Sequence, residues 1–224
     1  MKRITVLLAE DHQIVREGFR SLLKHEPDIE VVGEAESGRQ AVQLTRKLRP
    51  AVVVMDIAMP LLNGLEATRQ IRKECPDTKV LILSAHSDDA YVEQVASLGA
   101  SGFLLKQTSS ESLAVAIREV QKGKTFFSAA ISRRVQVRTQ SAAARGASKT
   151  NGNRLSSREI EVLQMIAEGK PNKQVAAELG VTFKTVDKHR QHLMSKLDIH
   201  DVAGLTRYAI AEGIIESDVR LTIT

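Results

Sequence analysis

A single cysteine, Cys75, stands in a chain of 224 residues. One thiol excludes an internal disulfide framework and a cysteine-based metal cluster, and its scarcity points to a reducing, cytoplasmic setting. Long apolar runs are missing as well. The first run, Ile4 to Ala9, breaks at Glu10 and Asp11, too short for a signal peptide or a membrane span. The glycines are scattered, and none forms a Gly-rich phosphate loop, so dinucleotide and P-loop chemistry have no support. Acidic residues are absent from one stretch. Between Ala129 and Arg154 there are six basic residues and no acidic ones.

That last gap explains the formal net charge of +5. Met1 to Ser128 carries 17 basic and 17 acidic residues, whereas the remainder carries 15 and 10. The excess favours a nucleic-acid or other polyanion partner for the C-terminal part, although much of it is also what a solvated basic linker would show. A length of 224 residues fits one large domain or two small ones.

What is present begins with Val52-Val53-Val54-Met55-Asp56-Ile57-Ala58-Met59-Pro60. An apolar run ending on one carboxylate and a turn signal reads as a strand buried on both faces, as in a parallel sheet under helices. Ligands of open α/β sheets bind beyond the carboxyl ends of the strands, where Asp56 lies. The segment alone leaves open a loop-capping aspartate and a ligand-facing one.

Four further strands alternate with helices on either side of it. Strands are expected at Ile4–Ala9, Ile29–Ala35, Lys79–Ser84 and Ser101–Lys106, and helices near residues 12–25, 38–48, 64–74, 88–98 and 109–121. The first helix carries Ile14, Val15, Phe19, Leu22 and Leu23 at helical spacing, as an apolar face would. The alternation implies a doubly wound, five-stranded parallel sheet with right-handed crossovers. Gly33, Gly38, Gly64, Gly99 and Gly102 are expected at helix ends or turns. The strand ends then supply Glu10, Asp11, Asp56, Ser84 and Lys106. If the strand order reverses near the first strand, these converge on one crevice. Carboxylates so close repel unless a cation sits among them, and an all-oxygen set without His or Cys suits Mg²⁺. Aspartate is a competent nucleophile for phosphoryl transfer, and a lysine and a hydroxyl opposite it would pair with the phosphoryl oxygens.

Glu10-Asp11, Asp56 with Met59-Pro60, Ser84-Ala85 and Lys106 resemble the response-regulator receiver domain of two-component signalling, over about residues 1–124. The resemblance implies a flavodoxin-like strand order of 2-1-3-4-5, with Asp56 as phosphoacceptor. It also implies Mg²⁺ on Glu10, Asp11, Asp56 and the carbonyl of Ala58. Ser84 would be the switch hydroxyl, Lys106 the phosphate partner and Phe103 the switch aromatic. The rival reading is a phosphatase resembling the haloacid dehalogenase family, which needs a second aspartate as general acid two residues on. Ala58 stands there, so the phosphoryl group would persist, as a switch rather than an enzyme requires.

Ser128 to Asn153, rich in Ser, Ala and Gly, reads as a flexible basic linker, with Ile131 and Val135 able to extend a short helix. Ser156 and Glu159 then have capping-box spacing, and three short helices follow, with Gly180-Val181 between the second and third. Two helices about a glycine turn form a helix-turn-helix. On the third, Val186, His189, Leu193 and Leu197 face inward. Asp187, Lys188 and Gln191 lie where base edges are met, and Lys184, Thr185 and Arg190 where phosphates are. A solvated polar face would look the same.

Leu155-Ser156-x-Arg158-Glu159, Glu168-Gly169-x-x-Asn172, Ala176-x-x-Leu179 and Thr185-Val186-x-x-His189 resemble the LuxR-type DNA-binding domain. With the receiver, the whole resembles the NarL/FixJ class of response regulators. The implied plan is a receiver at 1–124, a linker at 125–153 and an all-α DNA-binding domain at 154–224. The implied partners are a sensor histidine kinase, promoter DNA and a second copy of the chain, with no membrane. Val202, Leu205 and Ala209 on the last helix are candidates for self-association, although a packing stripe reads the same. The alternative is a phospho-switched interaction module whose helical domain only dimerises.

Overall fold

The computed structural model describes residues 3–85, 89–107, 110–127 and 155–215. The chain divides into two compact units, Met1–Lys149 and Thr150–Thr224. The linker expected at 125–153 begins later than its sequence suggested: Phe126 bridges to Gly102, and Phe126 and Phe127 pack against the receiver core, because these two aromatics find apolar surface to cover there. The rest of it, with Arg133, Arg134, Arg138, Arg145 and Lys149, and the following Arg154 lie outside the described residues.

Unit one is the doubly wound sheet. β1 (Ile4–Ala9), β2 (Ile29–Ala35), β3 (Val52–Asp56), β4 (Lys79–Ser84) and β5 (Gly102–Leu105) alternate with α1 (Gln13–Lys24), α2 (Gly38–Leu48), α3 (Gly64–Glu74), α4 (Asp89–Ser97) and α5 (Ser110–Gln121). The strands pair in parallel in the order β2-β1-β3-β4-β5. Strand side chains alternate with period two, and this splits the core in two. Leu7, Ala9, Val53, Met55, Val80 and Ile82 pack with residues of α2, α3 and α4. Val6, Leu8, Val52, Val54, Leu81 and Leu83 pack with residues of α1 and α5. Both faces are covered, which is why the central strands read as unbroken apolar runs.

Two further expectations need correction. Gly102 opens β5, paired with Leu81, and Gly33 lies inside β2 rather than in a turn, where the pairing with β1 shifts register between Val6 and Leu7. A Cβ there would meet Leu48 Cδ1 at 2.8 Å, so this glycine marks a β-bulge under a packed helix. On α1, Ile14 and Leu22 do not join the core, being 86% and 40% exposed. Its buried face is Phe19, Leu23 and, unexpectedly, Arg16.

Unit two comprises α6 (Ser157–Ala167), α7 (Asn172–Leu179), α8 (Phe183–Leu197) and α9 (Val202–Ala211). The capping box forms as expected: Ser156 accepts from the Glu159 backbone and Glu159 accepts from the Ser156 backbone. The α7–α8 corner depends on Gly180 at φ 62°, a left-handed conformation that only glycine adopts without strain. Val162, Leu163, Met165, Ile166, Val175, Val186, Leu193, Leu205 and Ala209 fill the core. No helix among the described residues is long and apolar enough to cross a membrane.

Candidate functional site

The sheet runs from β1 outward to β2 and then back past β1 to β3, so the order reverses between β1 and β3. At such a switch point the two helices leave on opposite faces and a crevice opens at the strand ends. Glu10 and Asp11 follow β1, and Asp56 closes β3. The loop after β3 folds tightly back over this end. The Gly64 N–H donates to the Ile57 carbonyl at 2.8 Å, and a Cβ on Gly64 would lie 1.8 Å from the Asp56 carbonyl oxygen. Only glycine permits that approach.

Within the crevice Asp56 is 3% exposed and Glu10 2%. Asp56 Oδ1 accepts the Ile57 N–H at 2.8 Å. Lys106 Nζ, from the loop after β5, lies 2.9 Å from Asp56 Oδ2 and 2.7 Å from Glu10 Oε2. Burial, reinforced by the Glu10 carboxylate and opposed by Lys106, pushes the Asp56 carboxyl up to about 6. Burial lowers the Lys106 ammonium, but Asp56 and Glu10 outweigh it and hold its pKa above the ordinary lysine value. Lys106 is one cation shared between two buried carboxylates, with Asp11 beside them. Glu10 Oε2, Asp11 Oδ1 and Asp56 Oδ2 lack a well-aligned hydrogen-bond donor. Oxygen atoms left this way favour a further cation. Ligand atoms of Glu10, Asp11, His12 and Asp56 lie within 4.8 Å of one another, a spacing that fits a small divalent ion held through hard oxygen donors.

Ser84 ends β4 and is 3% exposed, while Phe103 on β5 is 4% exposed and packs in the core beside Ile82 and Val92. Ala58 is half-buried on the loop beyond Asp56. Glu10, Asp11, Asp56, Ala58, Ser84 and Lys106 therefore fall at or beside the carboxyl end of the sheet, whereas Phe103 lies further back in β5, paired with Ile82.

The sequence reading missed two residues here. The cluster is not free of histidine: His12 Nδ1 stands 2.9 Å from Asp11 Oδ1 and 3.2 Å from Glu10 Oε1. Asp11 chiefly raises its pKa, against partial burial and with help from Glu10. The other is Arg16, 6% exposed. Its Nη1 donates to the Glu10 carbonyl at 2.7 Å, Nε to Glu34 at 3.2 Å and Nη2 to Glu36 at 2.8 Å. One guanidinium thus ties the backbone of a crevice carboxylate to the end of β2. The available signal was a charged residue three and seven positions before Phe19 and Leu23, on the same apolar stripe of α1.

In unit two, Lys184, Lys188 and Gln191 are exposed on α8 and Asp187 is half-buried. Gln191 Nε2 donates to Asp187 Oδ2 at 3.0 Å. Thr185 is engaged at the helix start, where its N–H donates to Thr182 Oγ1 at 3.2 Å. Arg190 Nη1 donates to Asn172 Oδ1 at 3.3 Å and so ties α8 to α7. Val186 and Leu193 are buried as expected, while His189 and Leu197 are half-buried. On the last helix the packing alternative holds for two of the three candidates. Leu205 and Ala209 are fully buried in the unit's own core, and only Val202, 43% exposed, offers apolar surface from that set. Their stripe serves internal packing against α6, because a helix of a small domain has one apolar face to bury.

Residues 6–118 match the response regulator receiver domain, and residues 153–209 match the bacterial regulatory proteins of the luxR family. The chain is 39% identical to the transcriptional regulatory protein LiaR of Bacillus subtilis over 92% of its own length and 96% of the relative's. It is 36% identical to DegU of Brevibacillus brevis, covering 89% of each chain. Among solved structures, RcsB of Salmonella typhimurium matches with a TM-score of 0.59 and 28% identity over 95% of this chain and 99% of the other. A structure of two RcsB dimers bound to two parallel DNAs matches with a TM-score of 0.56, 28% identity and coverage of 94% and 99%. These relatives are regulators of transcription, which favours the DNA-binding reading of the second unit over a module that only dimerises. With a receiver at its N-terminal end and a LuxR-type helix-turn-helix at the other, the chain belongs to the NarL/FixJ class of two-component response regulators, the phosphorylation-controlled transcription factors that bind DNA.

Proposed function

We propose that Asp56 is the phosphoacceptor, and that its phosphorylation by a partner histidine kinase controls binding of α8 to promoter DNA. The observation that carries this reading is the convergence of Asp56, Glu10, Asp11 and Lys106 at the sheet's switch point, in a chain that also holds a helix-turn-helix. The domain plan is a receiver that runs through Phe127, a linker from there to 153 and a DNA-binding domain at 154–224. An Asp56 carboxylate oxygen attacks the phosphorus of a phosphohistidine. The phosphorus–nitrogen bond breaks, the imidazole leaves, and an aspartyl-phosphate forms. Mg²⁺, held by Glu10, Asp11, Asp56 and the Ala58 carbonyl, would neutralise charge on the phosphoryl oxygens.

The residues of the chain do the rest. Lys106 is already 2.9 Å from Asp56 and pairs with the phosphoryl group once Asp56 is phosphorylated. Ser84 at the end of β4 donates to a phosphoryl oxygen, and Phe103 repacks as β4 and β5 shift. The added charge is the signal, and the packed core around Ser84 and Phe103 is the element it biases. Since no second carboxylic acid stands at position 58, the chain is a switch and not an enzyme.

On DNA, Asp187, Lys188 and Gln191 meet base edges while Lys184, Thr185 and Arg190 orient the helix on phosphates. Two copies on paired half-sites raise affinity through effective concentration, with Val202 contributing the exposed part of the contact. Binding of RcsB dimers to DNA supports this arrangement by likeness. The test is full-length Asp56→Asn with a phosphodonor and Mg²⁺. Phosphate-dependent dimerisation and promoter binding are expected in the wild type and absent in the variant, and their survival in the variant would overturn the reading.

A further inference from the structure

Phe183 stands apart from the other four phenylalanines of the chain. Phe19 and Phe103 are buried, at 8% and 4% exposure, and Phe126 and Phe127 pack against the receiver core. Phe183 is 57% exposed and takes no place in the core of its own unit. An aromatic ring left mostly in water forgoes one of the larger burial gains open to a side chain. Helix formation does not require it there either. Thr182 is the N-cap of α8, and its side chain accepts from the Thr185 backbone. The apolar pair that fixes a helix entrance falls at the residue before the cap and the fourth helical residue, here Val181 and Val186.

Its position on α8 is informative. Phe183, Asp187 and Gln191 follow one another at four-residue steps and share one ridge of the helix. Lys184 and Lys188 form the neighbouring ridge and are exposed. On the first ridge, Gln191 already holds Asp187 through the 3.0 Å hydrogen bond. The ridge therefore carries an apolar ring at its N-terminal end and an ordered polar pair behind it. The N-terminal part of a recognition helix is the part that meets base edges. In the major groove only thymine presents an apolar group, its 5-methyl.

We infer that Phe183 reads the 5-methyl group of a thymine in each half-site, beside the base edge met by Asp187 and Gln191. This rests on the docking of α8 in the major groove proposed above. The contact would select thymine by burying a methyl group against the ring, without any hydrogen bond. It is sequence information that the polar residues of α8 do not carry.

The experiment uses the full-length protein, phosphorylated at Asp56, and selection from a random pool of duplex DNA. Wild type is expected to enrich half-sites with a fixed thymine, and Phe183→Ala to lose that preference while keeping the others. Replacing that thymine by deoxyuridine removes only the methyl group. It should weaken wild type about fourfold, the value of one buried methyl-sized group, and leave Phe183→Ala unchanged. Phe183→Leu should restore part of the preference. Because Phe183 is exposed, the thermal midpoints of the variants should match wild type. The inference is overturned if Phe183→Ala selects the same thymine with the same deoxyuridine penalty. It is equally overturned if that variant loses affinity alike for every duplex, or if wild type fixes no thymine. A separate result bears on the docking of α8 itself: if Lys188→Ala leaves both affinity and selectivity untouched, α8 is not the reading helix.

Discussion

The acidic crevice and the exposed face of α8 are opposite kinds of site. In the crevice the functional groups are buried and interlocked. Lys106 is shared by Asp56 and Glu10, Arg16 holds the Glu10 carbonyl, and the backbone of Ile57 donates to Asp56. On α8 Lys184, Lys188 and Gln191 are exposed, and the polar contacts of that face are few: Gln191 holds Asp187 within the helix and Arg190 reaches Asn172 of α7. A buried site is built before its ligand arrives, because unpaired charge inside a protein is costly. A DNA-binding face keeps its charges hydrated until phosphates replace water and counterions. The crevice is therefore defined by its geometry, and the helix face by its residue types and its family.

Substitutions should separate the two in graded fashion. The largest effect belongs to Asp56→Asn, which should abolish phosphoryl uptake from a small-molecule phosphodonor, measured by mass or by phosphate-affinity electrophoresis. A variant still modified at stoichiometric level would move the acceptor elsewhere. Next, Arg16→Met should destabilise the protein by about 2–4 kcal/mol in denaturant unfolding, somewhat less than a fully buried pair because Glu36 is exposed. It should also weaken Mg²⁺ binding in a titration, and a wild-type midpoint in both assays would show Arg16 to be idle.

The third effect concerns pH. In Mg²⁺-free buffer Asp56 has a folded pKa of about 6 against an ordinary 3.8. A carboxyl raised on folding destabilises the native state while it is ionised, and relieves it as pH falls through 6 towards the unfolded value. Asp56→Asn should thus exceed wild type by roughly 1–3 kcal/mol at pH 7, with the gap closing by about pH 4. A gap that is constant across this range would contradict the burial argument. Phosphorylation of wild type should slow over the same window, since the nucleophile is the carboxylate. The smallest effect is at α8. Lys188→Ala should cost about 1–2 kcal/mol of promoter affinity. If Lys188 meets a base, selectivity relaxes at that position. If it meets a phosphate, the salt slope falls by about one instead.

Periodicity in the sequence was enough for the alternating strands and helices, and the strand-end carboxylates and Lys106 were legible because buried strands end abruptly in polar residues. The Ser156 capping box and the Gly180 corner were local as well, since caps and left-handed turns are decided within a few residues. Other features depended on what lies across space. Arg16 looked like one more surface charge until Glu34 and Glu36 met it from β2. Gly33 looked like a turn residue until β1 and Leu48 were beside it. Ile14 and Leu205 carried the same apolar signal, yet one is 86% exposed and the other fully buried. Hydrophobicity states that a side chain favours burial, but only the packing of the neighbouring elements provides the place. For this chain the sequence alone determined the elements, their caps and the chemistry at the strand ends. The tertiary structure decided which charges share a cation, which are held by a partner and which apolar residues remain on the surface.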